Sequence, residues 1–241
     1  MAGTGCTVKQ SPRRLYGSET FAKTYSPYIN QSKKPRLQMK KTLLSSLAIS
    51  TTLLIATLPA QAKTDTLIVA GGCFWCVESD FEKLDGVTDA VSGYINGTTE
   101  NPTYEEVSAK KTGHFEAVQI SFDDEKVSLD ELVSYFWKTI DPTDPNGQFC
   151  DKGSPYKTAL FYLNETQQQV FTNSLNELQD NKPFAAPVVT EILEAKTFYP
   201  AEDYHQDYAK LNPLRYNYYR YGCGRDARVE ELWGEVVSKQ K

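Results

Sequence analysis

Thr66-Leu67-Ile68-Val69-Ala70-Gly71-Gly72-Cys73-Phe74-Trp75-Cys76 is the stretch on which the reading of this chain turns. Five residues without a break in apolar or β-favouring character, Thr66 to Ala70, predict a short buried strand. The Gly71-Gly72 pair then breaks it. From Cys73 to about Leu84 the apolar residues Phe74, Val77, Phe81 and Leu84 recur at steps of three and four, which predicts a helix with one face turned inward. Gly86 is placed to end it. A strand, a glycine turn and a helix that opens on a cysteine form a reactive geometry. The free N–H groups and dipole of a helix start favour a thiolate, and the two glycines let a substrate approach the backbone.

Working outward, Val87 to Ile95 reads as a second strand and His114 to Phe122 as a third. Between them, Asn96 to Tyr104 is a turn-rich loop leading to a short helix through Lys111. Ser128 is positioned to cap a helix from Leu129 to Ile140. Asp141 to Tyr156 is a long loop with three prolines and two glycines, a length that points to function. Thr158 to Leu163 is a fourth strand, Asn164 caps a helix to about Asp180, and Val188 to Leu193 is a fifth strand. A last helix covers Ala201 to Leu211. The tail through Tyr216, Tyr218, Tyr219 and Tyr221 lacks periodicity and reads as coil wrapped over the body. The order β-α-β, β-α-β predicts an α+β fold. The expected architecture is a two-layer α/β sandwich with a ferredoxin-like, split-βαβ core and a long C-terminal coil. A doubly wound sheet is the alternative.

The charge is divided. Residues 1–62 hold nine of the 26 basic residues and one of the 31 acidic ones, Glu19. The remainder is strongly acidic, which argues against nucleic-acid or anionic-membrane binding. Met39-Lys40-Lys41, the apolar run Thr42 to Leu58 and Ala60-Gln61-Ala62 have the order of a secretory signal. The run is too short and too rich in Ser and Thr for a spanning helix. The expected organisation is an upstream extension at 1–38 arising from start-site misassignment, a signal peptide at 39–62, and one catalytic domain at 63–241. The expected location is the periplasm, with no stable membrane insertion of the mature chain.

Of the five cysteines, Cys6 falls in the discarded segment, leaving Cys73, Cys76, Cys150 and Cys223. Three chemistries are open on residues alone. Cys73 and Cys76 fit a CxxC disulfide oxidoreductase. Four thiols could hold zinc, although Cys150 and Cys223 do not form a second CxxC. A cysteine hydrolase would need His114 or His205 as base.

The motif Gly72-Cys73-Phe74-Trp75 resembles that of the peptide methionine sulfoxide reductase A family. So do Gly93-Tyr94, Asn101-Pro102-Thr103-Tyr104, Thr112 to Val118, Phe136-Trp137, Asp141-Pro142, Asp151-Lys152-Gly153 with Tyr156, and Ala201 to Gln206. These run in family order over nearly all of Thr66 to Gly224. The resemblance implies a reductase of the S epimer of methionine sulfoxide in oxidised proteins and peptides. It implies no metal or organic cofactor and a thioredoxin-like dithiol as reductant. By the same resemblance Cys73 is the nucleophile and Glu116 the proton donor. Tyr104 and Tyr156 hold the oxygen, Asp151 orders the site through water, and Phe74 and Trp75 wall the S-methyl group. Glu116 shares an alternating strand face with Val118, Ile120 and Phe122, an apolar setting that favours the neutral acid. Cys223, in Tyr221-Gly222-Cys223-Gly224, matches the family's resolving position. Cys76, where many relatives carry Gly, and Cys150, next to Asp151, are alternatives. A Cys73–Cys76 bridge is expected to be short and strained in a helix turn. His114 and His205 are expected to make structural hydrogen bonds. The mature chain contains no methionine, which suits an enzyme exposed to oxidants.

Overall fold

The computed structural model describes residues 64–237. The expectations for residues 1–38 and 39–62 lie outside these residues. A six-stranded sheet forms the centre. Its strands in chain order are β1 (Thr64–Gly71), β2 (Val87–Ile95), β3 (Phe115–Asp123), β6 (Thr158–Tyr162), β7 (Glu191–Glu194) and β8 (Tyr199–Pro200). A separate two-stranded hairpin, β4 (Gly147–Gln148) with β5 (Asp151–Lys152), lies in the long loop that follows β3 and its helix.

The sheet order is β7-β6-β1-β3-β2-β8. Strand β3 runs antiparallel to both β1 and β2, so β1 and β2 are parallel with β3 between them. In the same way β1 separates the parallel pair β3 and β6. Helix α1 (Phe74–Phe81) connects β1 to β2, and α3 (Leu129–Trp137) lies between β3 and β6. Two interleaved split βαβ units make the expected ferredoxin-like core. At its edges, β7 adds parallel to β6 and β8 adds antiparallel to β2.

Alternation sorts the strands. Leu67, Val69, Val118, Ile120, Phe122 and Leu160 face the layer of Phe81, Leu132, Val133 and Phe136 from α1 and α3. Ile68, Ala70, Ile95, Ala117 and Phe161 form a smaller apolar cluster with Phe115, Leu193 and Phe198. The helix starts are set locally. Ser128 and Glu131 form a complete capping box on α3, and Thr103 and Glu106 do the same on α2 (Tyr104–Ser108). Asn164 caps α4 (Glu165–Asn181), whose buried Phe171 packs into the main core.

Three expectations need correction. The helix foreseen over Ala201–Leu211 is broken into a 3₁₀ turn at Asp203–His205 and a short α5 (Tyr208–Leu211). Asp207 between them is left-handed, at φ 51°, and ends the first turn. The tail is not coil. It forms α6 (Pro213–Gly222) and α7 (Arg225–Trp233). These helices were hidden because their inward positions include the charged residues Arg220 and Arg225, while Leu214, Tyr218 and Tyr221 point outward. Buried Tyr216, Val229 and Leu232 share the inner faces with these arginines, so the apolar periodicity that marks a helix is interrupted. The fifth strand is Glu191–Glu194 rather than Val188–Leu193, because β7 aligns to β6 from Ala159 onward.

Candidate active site

Cys73 is the N-cap of α1, with φ −54° and ψ 119°, so it sits just outside the helical turns. Its carbonyl accepts from the N–H groups of Cys76 and Val77. The turn that delivers it needs both glycines. Gly72 has φ +86°, and a Cβ there would lie 2.6 Å from Gln148 Cβ. A Cβ on Gly71 would press on Ile140 and Val77 at 3.0 Å. The cysteine is thereby set against the sheet, 2% exposed.

Glu116 comes from β3, opposite Tyr94 of β2, on the helix-covered face foreseen for it. Its Oε2 accepts a hydrogen bond of 3.2 Å from the Phe74 N–H, the amide directly after Cys73. Burial holds its carboxyl well above the usual carboxylate range, and the nearby Asp151 charge pushes the same way. The Phe74 amide and the Tyr156 hydroxyl oppose this only in part. The balance favours the neutral form of a carboxyl beside a thiol.

Tyr104, at the start of α2, and Tyr156, in the 3₁₀ turn Ser154–Tyr156, are both buried. The Tyr104 ring lies 6.4 Å from that of Phe74 in a stacked pair. Asp151, on β5, is raised by burial but accepts the Tyr219 hydroxyl of α6. Phe74 and Trp75 are buried. Trp75 stacks flat on Tyr208, with ring centroids 3.7 Å apart, and meets the Tyr219 ring edge-on. The structure thus gathers Cys73, Phe74, Trp75, Tyr104, Glu116, Asp151 and Tyr156 around the junction of β1, β3 and α1.

The turn Glu202–Asp207 fastens this group, and sequence reading assigned it no such role. Glu202 accepts from the Tyr94 hydroxyl at 2.8 Å and from the Tyr104 N–H at 2.9 Å. The Gln206 amide bonds to both Ser92 N and Ser92 O on β2. Glu78, on α1, accepts the Asp207 N–H, and burial raises its carboxyl to about 7. His205 is fully buried, and its Nδ1 accepts the Trp75 indole N–H at 3.0 Å. That bond requires the Nε2–H tautomer. Burial lowers His205 to about 4, so it is neutral at ordinary pH. His114, the other histidine, accepts from the Gly97 N–H and bonds Thr99 O. Both make the structural hydrogen bonds expected of them. The signal for the turn was present in the Ala201–Gln206 motif, but only the folded contacts reveal what each residue holds.

The four described cysteines form two pairs. Cys150 and Cys223 are disulfide-bonded across 73 residues of sequence, with Cα atoms 4.8 Å apart. Cys73 and Cys76 are in no disulfide. The Cys73–Cys76 hydrogen bond, then burial, pushes the Cys76 thiol up. Cys73 is the cap of α1 and Cys76 lies in its first turn, with the Cys76 N–H bonded to the Cys73 carbonyl. Cys150, Asp151 and Cys223 offer three potential ligand atoms within 4.8 Å of one another, but the two sulfurs are bonded together.

A buried cysteine at a helix start, with a neutral acid bonded to the next amide and an aromatic wall, defines a cysteine-based oxidoreductase site. The peptide methionine sulfoxide reductase family model matches residues 65–237. The chain is 50% identical over 166 residues to a Vibrio cholerae protein named peptide methionine sulfoxide reductase MsrA/MsrB. That match covers 69% of this chain but 44% of the relative, so the chain spans less than half of its length. It is 47% identical over 178 residues to peptide methionine sulfoxide reductase MsrA of Bacillus licheniformis, covering 74% of this chain and 98% of that one. Among solved structures, Mxr1 from Saccharomyces cerevisiae in reduced form is similar, with TM-score 0.59 and 32% identity. That similarity covers 63% of this chain and 87% of Mxr1. The chain belongs to the peptide methionine sulfoxide reductase family and is a thiol-dependent reductase of methionine sulfoxide.

Proposed function

We propose that Cys73 attacks the sulfur of the S epimer of methionine sulfoxide in oxidised proteins and peptides, with Glu116 as proton donor. The Phe74 N–H to Glu116 hydrogen bond carries this reading, because it ties a neutral acid to the amide next to the nucleophile. A thiolate attacks a sulfoxide poorly unless the oxygen is protonated or strongly hydrogen-bonded. Cys73 donates an electron pair to the sulfoxide sulfur while Glu116 protonates the oxygen. Tyr104 and Tyr156 hydrogen-bond that oxygen, and Phe74 and Trp75 hold the methyl group. The sulfur–oxygen bond breaks as the protonated oxygen leaves as water, with a bond formed between the Cys73 and methionine sulfurs. Water then attacks the Cys73 sulfur, that S–S bond breaks, methionine leaves with the electron pair, and Cys73 remains as a sulfenic acid.

Recycling uses the other thiols. Cys76, in contact with Cys73, condenses with the sulfenic acid, releasing water and forming a disulfide. The reduced Cys150 and Cys223 then exchange with it, freeing Cys73 and Cys76 and becoming the disulfide themselves. The position of the second pair supports this order. Gln148, two residues before Cys150, and Arg225, two residues after Cys223, both border Gly72. Cys150 is exposed, where a thioredoxin-like dithiol protein can reach it. The Met39–Ala62 segment supports export to the periplasm, with an exported dithiol protein as reductant. N-terminal sequencing of the mature protein is expected to begin at Lys63; a start within residues 1–38 defeats this part.

The deciding experiment counts methionine formed from excess peptide S-methionine sulfoxide by fully reduced protein without added reductant. Two methionines per wild-type chain and none from Cys73→Ser are expected, since each turnover consumes one pair of thiols. No methionine from either protein overturns the assignment and leaves CxxC disulfide exchange as the reading to test. One methionine from wild type retains the nucleophile but removes the exchange between pairs.

A further inference from the structure

Arg225 is 2% exposed and only partly paired. One guanidinium nitrogen donates to Gly71 O and another to Thr139 O, each at 3.0 Å. Its plane covers the Phe149 ring, 4.7 Å from the centroid. Its Nε has no hydrogen-bond partner and lies 3.9 Å from Asp80 Oδ2, which also has none. Asp80 gives its other oxygen to Arg220 at 2.8 Å, and Arg220 also binds Asp226. Its one carboxylate neighbour, Asp80, stands off at 3.9 Å and is shared with Arg220, so the buried cation is under-compensated, and an anion that forms beside it at some stage of function offsets that cost.

The position of Arg225 identifies that anion. A Cβ on Gly72, the residue before Cys73, would lie 3.8 Å from Arg225 Nη1. The guanidinium therefore borders the turn that presents the nucleophile. Its charge also reaches the thiol pair, opposing the rise of Cys76. The other ionisable groups around the pair are Glu116 from β3, Asp80 from α1, Arg220 and Tyr216 from α6, and Asp151 from β5. Both arginines oppose the rise of Cys76, Arg225 more strongly. Arg220 is bound to Asp80 and Asp226, while Glu116 and Asp151 are raised by burial, so Arg225 is the less fully paired cation to answer a thiolate.

We propose that Arg225 is the buried cation that stabilises the thiolate of the Cys73–Cys76 pair, carried into place by the segment that the Cys150–Cys223 disulfide pins. It touches no substrate and acts through the pair, as a positioning residue. The proposal rests on Cys73 being the nucleophile, and its test does not depend on sulfoxide turnover. Thiolate absorbance is titrated in the oxidised Cys150–Cys223 form, where Cys73 and Cys76 are the described cysteines outside the disulfide. In the Cys76→Ser background, Arg225→Gln keeps donors for the two carbonyls but removes the charge. It is expected to raise the Cys73 midpoint by about one pH unit, a tenfold loss of thiolate. Arg225→Lys, which keeps the charge, is expected to hold it. An unchanged midpoint in Arg225→Gln with native near-ultraviolet circular dichroism overturns the proposal.

A measurement on unaltered Arg225 covers the case in which the variant does not fold. The ¹⁵N–¹H resonance of Arg225 Nε is expected to move with the thiol midpoint in the wild type. That movement disappears in Cys73→Ser combined with Cys76→Ser. A resonance that ignores the thiol titration overturns the proposal. If instead Cys73→Ser still forms methionine, the assigned nucleophile fails, whatever Arg225 does.

Discussion

Cys73 and Cys76 stand three residues apart at the start of α1, buried and reduced, whereas Cys150 and Cys223 meet across 73 residues with Cys150 at the surface. The first pair is built by local structure: a strand, a glycine turn and a helix cap. The second exists only because β5 and the α6–α7 segment are brought together. The difference separates two tasks. Reducing a sulfoxide needs a thiol in a water-poor, aromatic pocket with a neutral acid. Regeneration by another protein needs sulfur at the surface, because a partner dithiol has to approach it in line.

The largest effect expected from breaking this comparison is at Cys73. Cys73→Ser should lose more than about 10⁴-fold in methionine formation, since the nucleophile itself is gone. Single-turnover assay of the reduced protein checks this, with native near-ultraviolet circular dichroism as proof of folding. Next is Glu116→Gln, for which a fall of about 10²–10⁴ in the single-turnover rate is expected. The pH dependence gives the sign. The raised Glu116 is the proton donor below its folded pKa and is lost as pH rises through it. The wild-type rate should therefore fall on the alkaline side of that value, and the Gln variant should lack the fall. Retention of that limb in the variant would assign the proton to another group.

Cys223→Ser should spare the first turnover and stall recycling by a dithiol protein. If multiple turnover survives, the exchange between pairs is wrong and Cys76 alone serves the reductant. The same change opens a 73-residue loop, with an expected loss of up to roughly 4 kcal/mol read from denaturant unfolding. The smallest effect is expected at Gly72, where the two halves of the site touch. Gly72→Ala places a methyl group against Gln148 at a positive φ and should cost about 1–3 kcal/mol. A lower Tm together with a slower alkylation rate at Cys73 would show that the turn sets the nucleophile. An unaltered rate would separate the turn from the chemistry.

Much of the site was legible before folding. Glu116 alternates with Val118, Ile120 and Phe122, and all four are buried in the structure. Strand β2 runs from Val87 to Ile95 as its residues predict, and Ser128 and Asn164 are the caps they were read to be. The failures cluster after Ala201. There the left-handed Asp207 interrupts one helix, and two more helices bury arginines where the pattern called for apolar residues. A tail rich in outward-facing tyrosines carries no period to read.

By itself the sequence determined what short-range physics controls: the order of the main strands and helices before Ala201, the caps Ser128 and Asn164, the place of Cys73 at a helix start and the apolar face around Glu116. Each follows from residues within one turn or one strand, where periodicity and hydrogen bonding act locally. Only the tertiary structure decided that Cys223 bonds Cys150, that Glu202, His205 and Gln206 hold Tyr104, Trp75 and β2, and that Arg225 lies beside Gly72. Such contacts join groups far apart in the chain, and their energy comes from burial and pairing that no local window contains.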